Sequence, residues 1–156
     1  MVGRLKSELK QKRPFTSLQE EVVLALLRTA DYVMVPLNAL LRGADLSQSQ
    51  YNVLRILRGA GEDGLACGEI GERMVRRDPD LTRLLDRLDA RGLVTRTRDA
   101  RDRRVVRATI TADGLEMLAS FDKPVGDVLK RVLAHVPPER LRELLDLLEE
   151  VRTPED

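Results

Sequence analysis

Apolar residues recur at three- and four-residue spacing over several long stretches of this chain, and capping residues, glycine and proline separate them. Leu18, Val22, Leu26, Val33, Leu37, Leu40 and Leu41 predict a long first helix. Ser17 and Glu20 form a capping box at its start, and Gly43 stops it. Pro36 falls inside the pattern and should kink the helix or divide it near Val35. Ser47 and Gln50 open a second helix with Tyr51, Leu54 and Leu57 inward, ended by the turn Gly59–Gly64, "GAGEDG". A short helix is expected around Glu69–Met74.

The next helix reads as 79–91. Asp78 is its expected N-cap before Pro79, Leu81, Leu84, Leu85 and Leu88 form its apolar stripe, and Gly92 closes it. Leu93–Arg98 and Arg104–Ile110 then read as two strands around the polar tip "DARDR". Thr111 caps a helix that Pro124 should interrupt before it resumes to His135. After "VPP", Glu139 starts a last helix with Leu141, Leu144, Leu145, Leu148 and Val151 on one face.

Three helices followed by a hairpin is the order of a winged helix-turn-helix. The fold expected is mainly α with a small β-hairpin wing, flanked by N- and C-terminal dimerisation helices. Its divisions would be an arm and dimerisation helix over 1–44, the winged helix over 45–111 and C-terminal dimerisation helices over 112–156. With two Phe, two Tyr and no Trp, the core depends on leucine and valine. The terminal helices overrun so small a core, and a second copy would bury their apolar faces; intramolecular packing is the alternative.

Charge sharpens this picture. The formal net charge is only +1, yet residues 76–107 hold eleven arginines against six aspartates. Residues 1–13 carry net +4 and residues 139–156 net −4. Such segregation implies a polyanionic partner for one face. Helix 79–91 would present its N-terminal residues to base edges while its leucines hold it in the core. Thr82 and Arg83 face away from those leucines, and Arg83 suits a bidentate contact to guanine. Arg76 and Arg77, in the turn before, suit phosphates. The carboxylates of Asp78 and Asp80 repel phosphates; they either cap the helix or accept from a cytosine amino group. Arg87 and Arg91 read as a solvated face.

"LSQSQYNVLRIL" (46–57), "LTRLLDRLDARGLVTR" (81–96), "DARDRR" (99–104) and "ITADG" (110–114) together resemble the MarR family of bacterial regulators in order and spacing. The resemblance extends loosely over nearly the whole chain. It implies a homodimer binding a pseudo-palindromic operator in double-stranded DNA, usually as a repressor relieved by a ligand or oxidant. By position it makes Arg101 the wing residue inserted into the minor groove and Asp99 the acid that aims it. Asp102 would steady the turn or pair with Arg104, while Arg103 and Arg104 would touch phosphates or hold the hairpin. The chain departs from the family at Asp78, Pro79 and Asp80, where small hydroxyl residues are common. A cleft between the dimerisation helices and the winged helix, often for aromatic acids or phenols, is also implied. Arg28 and Tyr32, one turn apart on the first helix, are candidates for such an effector, or else ordinary surface and core residues.

Other chemistry has little support. One histidine and one cysteine lie sixty-eight residues apart, and no nucleophile elbow, phosphate loop or metal-ligand signature is present. No enzyme, cofactor or metal site is therefore expected. His135, near a helix C-terminus, reads as a partner of the helix dipole. Cys67 cannot form an internal disulfide, which fits a reducing cytoplasm, and no secretory signal or membrane-length apolar run is read. Two further readings stay open: a peroxide-responsive switch through Cys67, and a winged-helix module whose basic face binds an acidic protein.

Overall fold

The computed structural model describes residues 4–99 and 102–153. Its helices are α1 (Arg4–Glu8), α2 (Leu18–Arg42), α3 (Gln48–Ala60), α4 (Cys67–Arg73), α5 (Leu81–Ala90), α6 (Ala112–Leu133) and α7 (Pro138–Arg152). Strands β1 (Leu65–Ala66), β2 (Val94–Arg98) and β3 (Val106–Ile110) make one antiparallel sheet in the order β1-β3-β2. The architecture is the mainly helical winged helix-turn-helix read from the apolar pattern. The wing pairs Val94 with Ile110 at its base and Arg98 with Val106 toward its tip.

One core holds these elements together. Tyr51, Val53, Leu54 and Leu57 of α3 pack with Ile70, with Leu84, Leu85 and Leu88 of α5, and with Val94 and Ala108 of the sheet. Leu37 and Leu41 from α2 and Leu118, Phe121 and Val125 from α6 close it. The ring of Phe121 meets that of Tyr51 edge-on at 5.9 Å, joining α6 to α3. The carboxylate of Asp122 accepts from Arg58 at 2.9 Å beside it.

Several local expectations change. Pro36 does not divide its helix and Pro124 does not interrupt its own: each sits inside a continuous helix. A mid-helix proline forfeits a hydrogen bond and costs ~3 kcal/mol. Here buried neighbours, Leu37 and Leu41 after Pro36 and Phe121, Val125 and Val128 around Pro124, oppose that loss. At the start of α2, the Ser17 hydroxyl accepts from the Glu20 N–H, but the Glu20 carboxylate turns to the N–H and hydroxyl of Thr16. Only half of that capping box forms, and the Thr16 hydroxyl and N–H hold the Glu20 carboxyl below its usual range. The Ser47–Gln50 box is complete.

Leu65–Ala66 is too short to carry a period-two signal; it pairs with Ala108 and Arg107 as a third strand beside the expected hairpin. The wing strands start later than expected, because Leu93 belongs to the turn after α5 and Arg104 to the tip. Leu93 N–H donates to Leu88 C=O at 3.0 Å and Gly92 N–H to Asp89 C=O at 2.8 Å, with Gly92 at φ +70°. This is a Schellman motif, and its apolar pair, Leu88 and Leu93, is buried.

The apolar stripe of α7 is only partly covered by the described residues: Leu141 and Leu148 are half-buried, while Leu144, Leu145 and Val151 are exposed. So are Leu18, Val22, Val23 and Leu27 of α2. By length and composition α2 would suffice to cross a membrane, contrary to the expectation that no such run exists.

Gly114, in the first turn of α6, presses against the turn before β2 and the end of β3. A Cβ there would overlap the Leu93 carbonyl oxygen and stand 2.8 Å from Ile110. Gly114→Ala should therefore destabilise by about 1–3 kcal/mol, against an intrinsic helix preference of about 1 kcal/mol for alanine. At Gly59 a Cβ meets nothing within 4 Å, and Gly59→Ala should stabilise by about 0.5–1 kcal/mol. Denaturant melts of the two variants check both signs.

Candidate nucleic-acid interface

The N-terminal end of α5 is built by two aspartates. Asp78 accepts the Asp80 N–H at 3.0 Å, a side-chain turn that keeps Pro79 out of the helix. Asp80, not Asp78, is the N-cap: one carboxylate oxygen accepts the Arg83 N–H at 3.3 Å. The other lies 3.6 Å from the Arg83 guanidinium. Leu84, Leu85 and Leu88 anchor the buried face, so Thr82, Arg83 and Arg87 stand exposed on the other. The Asp80 carboxylate is thus engaged by its own helix and the following arginine.

The segment leading into α5 carries Arg76 and Arg77, both exposed. It is tied to α3 where the Val75 N–H donates to the Asn52 side-chain oxygen at 2.9 Å. That segment is also one wall of a cavity of about 710 Å³ between α2 and α3. Leu37, Tyr51 and Val75 give it an apolar lining, and Arg55, Arg76 and Arg77 give it charge. The Arg55 guanidinium lies 5.8 Å above the Tyr51 ring. Arg28 and Tyr32 are exposed on α2 and line neither this cavity nor a smaller, polar hollow of about 190 Å³ at the starts of α3 and α5.

At the wing, Arg101 lies outside the described residues. The described residues on either side are tied together. Asp99 N–H donates to Val105 C=O, and Asp102 N–H donates to the Asp99 carboxylate at 3.3 Å. Asp102 in turn accepts from the Arg104 backbone N–H at 3.0 Å and from its guanidinium at 3.2 Å. The Arg104 guanidinium and N–H hold the Asp102 carboxyl below its usual range. Both roles expected of Asp102, steadying the turn and pairing with Arg104, are present. Arg103 is exposed. Asp99 also meets Arg107 at 3.5 Å.

Three arginines take structural roles that charge counting does not separate from the rest. Arg107 donates to the carbonyls of Asp63 and Gly64, fastening β3 to the turn before β1. Arg91, read as a solvated residue, donates to the carbonyls of Asp45 and Ala44 and ties α5 to the end of α2. Arg96 reaches back to α5, 2.6 Å from Asp86 and 3.2 Å from Asp89. Burial opposes the charge on Arg96, but the hydrogen bonds and charges of Asp89 and Asp86 outweigh it and hold the guanidinium above its usual range. Alternation along β2 was the available signal: Arg96 shares a face with buried Val94. Cys67 begins α4, half-buried.

Comparison with known proteins agrees with this geometry. Residues 46–106 match the MarR family, covering α3 through the wing. The homoprotocatechuate degradative operon repressor of Escherichia coli is 23% identical over 133 residues, 85% of this chain and 88% of that protein. A MarR transcription factor from Planctomyces limnophilus is 41% identical in its crystal structure, with a TM-score of 0.68 over 87% of this chain and 98% of that one. A point mutant of MarR from E. coli, solved with operator DNA, is 26% identical with a TM-score of 0.73 over 87% and 99%. The chain is a member of the MarR family, a transcriptional regulator that binds DNA through its winged helix and not an enzyme.

Proposed function

We propose that the protein acts in the cytoplasm as a homodimeric repressor on a pseudo-palindromic operator and is released by an aromatic or phenolic acid. The observation that carries the dimer is the uncovered apolar surface of α2 and α7, where Leu27, Leu145 and Val151 are each at least 60% exposed. Leaving such faces in water costs about 25 cal/mol for each Å², and a second copy offers both helices a matching apolar partner. Two copies related by a twofold axis present two α5 helices, which asks for two half-sites.

In this reading α5 enters the major groove with Thr82 and Arg83 toward base edges, and Asp80 orients Arg83 toward guanine. Arg76 and Arg77 bind phosphates on one flank; Arg103 and Arg104 do so on the other. Arg101 enters the minor groove from the wing, directed by Asp99. The name of the E. coli relative, an operon repressor, supports repression. The cavity beside Arg76 and Arg77 supports the effector, because an anionic ring fits its apolar lining and its guanidinium groups. Release requires that the ligand bind the DNA-incompetent arrangement more tightly than the competent one.

Selection from random duplex DNA should recover inverted half-sites with centres about 10 bp apart; recovery of a single unpaired half-site would reject the dimer geometry. On the recovered duplex, Arg101→Ala should weaken binding by about tenfold or more, in line with the ~1–3 kcal/mol of one good groove contact. The variant should still run as a dimer in sedimentation, and unchanged affinity at moderate salt would remove Arg101 from the interface. Titration with a set of hydroxybenzoates should lower operator affinity through the cavity. Arg55→Ala should then blunt the response several-fold, and Arg28→Ala should not; the reverse outcome would move the effector to Arg28 and Tyr32.

A further inference from the structure

The wing leaves α5 through three residues, Arg91 to Leu93, and the only positive-φ residue among them is Gly92. Glycine permits the sharp reversal there, and the Schellman bonds and the buried Leu88–Leu93 pair hold the base of the wing, while the strand beyond it is set by further contacts. Arg96 stands just beyond that turn, and its side chain is 25% exposed. One guanidinium nitrogen meets Asp86 at 2.6 Å and another meets Asp89 at 3.2 Å. Asp86 and Asp89 are neighbours on one face of α5 at i,i+3 spacing. A planar fork held by two carboxylates on one helix face fixes orientation as well as distance. The ring from Asp86 through Gly92 to Arg96 is therefore closed at its open end by two charged contacts.

We propose that Arg96 is a positioning residue for DNA recognition: without touching DNA, it locks the wing strand β2 to the recognition helix α5 through Asp86 and Asp89. The inference rests on α5 and the wing contacting one duplex together. A duplex has rigidly spaced grooves, so the two elements engage it at once only if their separation is set beforehand; otherwise binding must supply the ordering. Arg96 therefore contributes to affinity as a constraint. Asp86 and Asp89 contribute in the same direction although their charge repels phosphate. That sign separates a clamp from a simple electrostatic role.

The test uses the full chain and the duplex recovered by selection, with anisotropy titrations across a salt series and a thermal melt of each variant. Arg96→Met should bind that duplex at least tenfold more weakly, with the slope of log affinity against log salt unchanged, because no phosphate contact is lost. Asp86→Asn combined with Asp89→Asn should also weaken binding to the selected duplex. The same pair should tighten binding to an unrelated duplex, since two negative charges are gone. Arg96→Lys, which keeps the charge and can reach one carboxylate, should recover part of the loss and serves if Arg96→Met fails to fold. Wild-type affinity in Arg96→Met, or in Arg96→Lys where it replaces it, overturns the proposal. So does a salt slope reduced by about one in either variant, or tighter operator binding by the aspartate double variant. If the wild-type chain itself prefers no duplex, the operator reading falls as well, whereas wild-type preference with any overturning result above removes the clamp alone.

Discussion

Helix α5 has to satisfy two environments with ten residues, and the rest of the winged helix is arranged around that constraint. Leu84, Leu85 and Leu88 lock one face into the core at near-complete burial. The opposite face is then forced outward with Thr82, Arg83 and Arg87 on it. A helix so short has little stability of its own, so its ends are reinforced. Asp80 caps one end and the Schellman turn at Gly92 closes the other. Arg91 then pins that end to the carbonyls after α2. Rigidity of the exposed face is thus supplied largely from the core side and the termini.

The arginine excess of residues 76–107 resolves into two populations. Arg91, Arg96 and Arg107 spend their donors on backbone carbonyls or on carboxylates within the fold, where a planar fork of N–H groups is more useful than charge alone. Arg76, Arg77, Arg83, Arg87, Arg98, Arg103 and Arg104 remain exposed, and Arg101 lies outside the described residues. Most of the interleaved aspartates serve architecture as well: Asp80 caps, Asp86 and Asp89 hold Arg96, and Asp102 builds the tip. Acids inside a basic face reduce its gross attraction for a polyanion but set where the remaining cations point. Formal charge would undervalue such a face, because geometry concentrates its effect.

How far the chain could be read in advance follows from the range of each interaction. The leucine periodicity of α5, the Ser47–Gln50 box, the Gly92 stop and the Thr111 cap are local, and the structure has each of them. Tertiary forces decided the rest. Pro36 and Pro124 look like breaks until the buried residues beside them are counted. Asp78 and Asp80 are both sound caps by type; only the turn closed on the Asp80 N–H selects the second. Strand β1 has two residues and exists only because β3 is beside it. Arg96 and Arg107 look like their exposed neighbours until the hairpin folds back, since their partners lie 7 to 44 residues away.

The cavity and the face proposed for DNA share a wall. The chain from Val75 to Pro79 lines the 710 Å³ space and then enters α5 directly. Its backbone is held to α3 by the bond from Val75 to Asn52, and Asn52 itself borders the cavity. In the proposed reading, a bound anion would draw on Arg76 and Arg77, the residues assigned there to phosphate, beside the lead-in to α5. Arg96 extends the same chain of contacts on the far side of α5, where it pairs with Asp86 and Asp89. The covalent lead-in and the two carboxylates on α5 thus connect the cavity wall, α5 and the wing through direct contacts. Under the proposed function, a ligand would change DNA affinity only by binding one arrangement of these elements more tightly than another.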